Sequence, residues 1–68
     1  MTYDAMDTYE LRAALEEWHD QIVKLAGEYR QAVVAENVVW AEGIGLALDQ
    51  ALGQAKRVRA LLRVGAAA

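Results

Sequence analysis

The sequence predicts an all-α protein: an antiparallel helical hairpin that assembles into a homo-oligomeric helical bundle. Its helices are expected over about residues 8–36 and 39–64, within one helical-hairpin domain spanning 1–68. Three observations predict this. Fourteen of the 68 residues are alanine, and there is no proline and no cysteine. That composition favours helix and disfavours a turn-rich β fold. Apolar residues recur at alternating spacings of four and three in both halves of the chain. Acids collect at the start and bases at the end, which suits two helices running in opposite directions.

The first helix has a readable start. Asp7 is a good N-cap, and Glu10 three residues later completes a capping box. Met6 and Leu11 are placed to form a hydrophobic staple. A seam then runs through Leu11, Leu15, Trp18, Ile22, Leu25 and Tyr29 to Ala32 or Val33, at the heptad spacing of helices that pack side by side. Glu16, Asp20, Lys24 and Gln31 fall on the opposite face, with Gly27 among them.

The second helix repeats the pattern. Ile44, Leu48, Ala51, Ala55, Val58 and Leu62 form its seam, and Ala47, Ala51 and Ala55 make a small-residue stripe that permits close approach. Bases fill the last turns, as the helix dipole favours. Gly65 is a candidate C′ cap, and residues 1–6 and 65–68 are expected to fray.

Between the helices the pattern is ambiguous. Trp40 stays in register with both seams, so one helix from 8 to 64 satisfies the periodicity. A break at Gly27 would give three helices. The turn is expected within 37–45, near Asn37, a residue that tolerates the left-handed conformation at a helix end. Gly43–Gly45 is the alternative site. The charges support a hairpin. Residues 1–20 hold six acids and one base, and residues 50–68 hold four bases and no acid. Antiparallel packing lays one against the other.

A two-helix layer cannot cover both of its faces. Without cysteine a disulfide staple is unavailable, and a chain this short buries only ~60% of its unfolded surface. Self-association into a dimer or higher oligomer is the expected remedy, most simply a four-helix bundle with two-fold symmetry.

Enzymatic chemistry is disfavoured. There is one histidine, no cysteine and no serine, so neither a Ser–His nor a Cys–His arrangement can form within the chain. His19 reads as a helix-flank residue. Glu16 and His19 have the i,i+3 spacing of di-iron bundles, but Glu16 points away from the seam, so no metal and no cofactor is expected. Gly43 and Gly45 lack the strand and lysine of a phosphate loop. The net charge of −3 disfavours nucleic acid. The apolar run 33–48 is broken by Glu36, Asn37 and Glu42, so no membrane span is expected, and the acidic N-terminus does not resemble a secretory signal. The expected compartment is the cytoplasm.

Two functions are consistent with this inventory. The first is a non-enzymatic interaction protein that self-assembles and binds or modulates a protein partner. The second is an oligomer that sequesters a nucleotide or another anionic small ligand. The candidate binding residues are Trp40, Tyr29, Lys56, Arg59 and Arg63, because aromatic and arginine side chains dominate binding hot spots and clamp phosphates. Trp40 is followed by Ala41, Glu42 and Gly43, so the Trp–x–Gly signature of secreted helical hairpins is absent. In size and expected shape the chain resembles small helical hairpin proteins encoded by bacteriophages, a likeness of shape alone.

Overall fold

A computed structural model describes residues 3–67, with residues 4 and 65–67 described in backbone only. The chain is all-helical, and two helices pack against each other as a hairpin. A 3₁₀ turn over Tyr3–Ala5 precedes α1, Thr8–Val34, and α2, Val38–Ala67. The hairpin measures 48 × 20 × 14 Å.

The start of α1 follows from its first residues. Asp7 is extended, and its side chain accepts a hydrogen bond from the Glu10 N–H at 2.8 Å. The Glu10 carboxylate accepts from the Asp7 N–H at 3.3 Å. Two of the N–H groups at the helix start that have no partner within the helix are thereby satisfied. Leu11, one turn in, is buried.

The two seams meet as their spacing requires. Leu11 and Ala32 of α1, and Ile44, Ala51, Ala55 and Val58 of α2, are buried. Leu15, Trp18, Ile22, Leu25, Leu48 and Leu62 are half-buried between them. Of the two candidates for the end of the first seam, Ala32 is the inward one and Val33 is half exposed. Ala51 and Ala55 sit where the helices face each other, since a methyl group fills the space that a close approach leaves.

The turn includes Asn37, the preferred of the two sites, but begins two residues before the expected range and differs in chemistry. It occupies residues 35–37, so α1 ends at Val34 and Gly43 and Gly45 lie inside α2. The Glu36 N–H donates to the Val33 carbonyl and the Asn37 N–H to the Ala32 carbonyl, each at 3.0 Å. These two bonds form a Schellman motif, which needs a left-handed residue at C′. That residue is Glu36, with φ 56, and not Asn37. Asn37 instead caps α2: its side-chain oxygen accepts from the Trp40 N–H at 3.0 Å. Asparagine suits this role because its short side chain reaches back to the first free N–H groups.

Glu36 carries the usual cost of a side chain in the left-handed region, about 1–2 kcal/mol. Glu36→Gly should therefore stabilise the hairpin by about 1 kcal/mol. In a thermal melt followed by helical circular dichroism, the midpoint should rise by ~4–8 °C.

Regular backbone structure extends from Tyr3 to Ala67. Helix α2 continues through Gly65 to Ala67, so Gly65 is an interior residue rather than a C′ cap. Tyr3–Ala5, expected to fray, form the 3₁₀ turn, and the Met6 N–H donates to the Tyr3 carbonyl at 3.1 Å. Residues 1, 2 and 68 lie outside the described residues.

Candidate functional site

The candidate binding residues fall into two groups at opposite ends of the hairpin. Tyr29 and Trp40 belong to the tip. Tyr29 was expected in the seam but is 41% exposed, and the α2 residue beside its ring is Gly45, which has no side chain to cover it. A Cβ added at Gly45 would stand 3.7 Å from its Cε2, so the ring lies along α2 in ordinary contact. Trp40, in the first turn of α2, is 42% exposed. Around these rings Val33, Val34, Val38 and Val39 also face outward, giving the tip a largely apolar surface.

Lys56, Arg59 and Arg63 lie exposed in the second half of α2. At ~1.5 Å of rise per residue, Trp40 is about 24 Å from Lys56 and about 34 Å from Arg63 along the helix. One hairpin therefore does not bring the aromatic and basic groups together.

Two clefts run between the helices. The cleft at mid-length is lined by Glu17, Asp20, Gln21, Gln50, Gln54 and Arg57, among others. Its carboxylates offset its single arginine, which does not suit an anion. The cleft at the tip is lined by Tyr29, Val33, Val38 and Gly45 together with Glu36 and Glu42. It is apolar with an acidic edge. Neither cleft contains Lys56, Arg59 or Arg63.

Sequence reasoning missed Tyr3. The Trp18 indole N–H donates to its hydroxyl at 2.9 Å, which fastens the 3₁₀ turn onto the hairpin. A part-buried indole N–H favours an acceptor, and the heptad spacing does not reveal one fifteen residues upstream, before α1 begins. Tyr3 is half-buried, whereas Tyr9, the second residue of α1, is exposed.

His19 and Glu16 are both exposed on α1. Among the described residues no group of three or more His, Cys, Asp or Glu side chains could hold a metal ion. No helix of the described residues is long and apolar enough to cross a membrane.

The fold and its surface thus define a small all-helical hairpin with a buried aliphatic and alanine seam and an apolar tip. Comparison with known protein families, curated proteins and solved structures found no match.

Proposed function

We propose that this chain is a non-enzymatic helical interaction protein that self-assembles and uses the surface left over to bind and modulate a protein partner. Its excess exposed surface carries this proposal. The chain exposes 5341 Å². A compact monomer of 7.5 kDa would expose only ~4,250 Å². The radius of gyration is 14.6 Å, against ~11 Å for a compact chain of this length. The surplus of roughly 1,100 Å² is more than the ~800 Å² that each partner buries in a stable interface. Much of it is apolar, including Tyr9, Val23 and Val34 on α1 and Val39, Leu46 and Val64 on α2.

Multi-angle light scattering over a range of concentrations tests this function. A dimer or higher oligomer is expected at micromolar concentration. A monomer that persists to ~100 μM would overturn the self-assembly, since such a weak association corresponds to less than ~6 kcal/mol.

A further inference from the structure

Helix α2 carries one apolar heptad seam and a second stripe at the same spacing, in which Val39, Leu46, Ala60 and Val64 are interspersed with glycine, glutamine and arginine. The seam packs on α1. The other is a stripe of exposed residues: its middle members Gln50, Gly53 and Arg57 border the mid-length cleft shared with α1, and Val39, Gly43, Leu46, Ala60 and Val64 lie outside that cleft. It runs from Val39 through Gly43, Leu46 and Gln50, and continues through Gly53, Arg57 and Ala60 to Val64, at alternating spacings of four and three. Every one of these residues is exposed, with Val39 at 81%, Leu46 at 71% and Val64 at 67%. The spacing holds along any helix face; what marks this one is its exposed Val39, Leu46 and Val64 beside a flank of charges that changes sign along the helix. We infer that this face pairs antiparallel with the same face of a second copy, around a two-fold axis between Gln50 and Gly53. This assignment rests on the self-assembly proposed above and names its surface.

The stripe is complementary to its own reverse. In the antiparallel register Val39 faces Val64 of the second copy, and Gly43 faces Ala60. Leu46 faces the aliphatic stem of Arg57, and Gln50 faces Gly53. Each pair occurs twice by symmetry, as an isologous interface requires. Gly43 and Gly53 carry no side chain, so an opposing helix can approach closely at both positions. The stripe is ~38 Å long at 1.5 Å per residue.

The charges choose the direction. On one flank of the stripe Glu42, Asp49, Lys56 and Arg63 recur every seven residues, and all four are exposed. In an antiparallel pair this flank meets its own copy, because flanking heptad positions then face their like across the two-fold axis. Glu42 meets Arg63 of the second copy and Asp49 meets Lys56, so every charge on the flank has an opposite partner. The other flank carries Trp40, Ala47, Gln54 and Leu61. There the same register puts the half-exposed Trp40 ring beside Leu61 of the second copy. A parallel pair would instead set the charged flank against this uncharged one and form no ion pair. The surplus surface calculated above is enough for a contact of this size.

The chain has no cysteine, so introduced thiols report the register directly. Val39→Cys and Val64→Cys chains, refolded together and oxidised, should give a covalent dimer containing one of each. Neither variant alone should cross-link, because residues 39 of the two copies lie ~38 Å apart in this register. Independently, Asp49→Lys should weaken the dimer about tenfold or more, replacing two attractive contacts with two repulsive ones. Asp49→Lys combined with Lys56→Glu should restore it. These positions are exposed, so helical content should be unchanged. Cross-linking of Val39→Cys with itself would overturn the antiparallel register. An oligomer that neither cross-links in the mixture nor responds to Asp49→Lys would place the interface on another face while leaving self-assembly intact. A monomer at every concentration would overturn the interface and the self-assembly together.

Discussion

Ile44→Ala is expected to destabilise the hairpin by about 3 kcal/mol, within the ~2–5 kcal/mol that truncating a buried isoleucine costs. Ile44 is 6% exposed and sits in the second turn of α2, where its side chain packs into the seam. Truncation removes three carbons from that seam, and the surrounding helices cannot collapse fully onto the space. The loss is large relative to the whole. A core in a chain this short rarely supplies more than ~3–5 kcal/mol. Urea denaturation followed by helical circular dichroism at low protein concentration should show most or all of the helix lost in the variant. Val23→Ala is the matched control: its side chain is exposed on α1, and the change should stay within about 0.5 kcal/mol. Equal effects from the two substitutions would show that the seam is not what holds the helices together.

The seam was legible because burial is the largest favourable contribution to folding and leaves a periodic trace. Leu11, Leu15, Trp18, Ile22 and Leu25 were read from spacing, and the structure turns all of them inward. The Asp7–Glu10 capping box was legible for a related reason: its chemistry is local and its spacing fixed. The turn was harder. Asn37 reads naturally as the left-handed residue, yet Glu36 takes that conformation. The cost of about 1–2 kcal/mol at Glu36 is smaller than the gain from burying Ala32, Ile44 and the rest of the seam. Tertiary packing decides such a contest, and single-residue preference does not see it. Tyr29 shows the reverse limit. Its spacing is right for the seam, but the α2 residue beside its ring is Gly45, which has no side chain to cover it. The proposed binding set fared differently again. Residue type singled out Tyr29, Trp40, Lys56, Arg59 and Arg63, but type carries no information about distance, and one hairpin keeps the aromatic and basic groups apart.

Glycine replacement should separate the stability of the hairpin from that of its assembly. Gly27, Gly43 and Gly53 lie inside helices, none at positive φ, and a Cβ at each would meet nothing within 4 Å. In an isolated hairpin each change to alanine should therefore add about 0.8–1 kcal/mol, the difference in helix propensity. Together the three should add about 2.4–3 kcal/mol and raise the melting midpoint by roughly 10 °C or more. Concentration changes the expectation for two of them. Gly43 and Gly53 lie on the face of α2 inferred to meet a second copy, opposite Ala60 and Gln50. New methyl groups there push the two helices apart and weaken the dimer. Gly27 lies on the outer face of α1, away from that stripe. A dimer that binds only the folded chain makes the melting midpoint rise with concentration. The Gly27→Ala protein should keep that dependence in full, with its whole curve raised. The Gly43→Ala/Gly53→Ala protein should melt higher than the parent when dilute and lose much of its advantage when concentrated. Equal gains for all three sites at every concentration would mean that no second copy covers this stripe of α2.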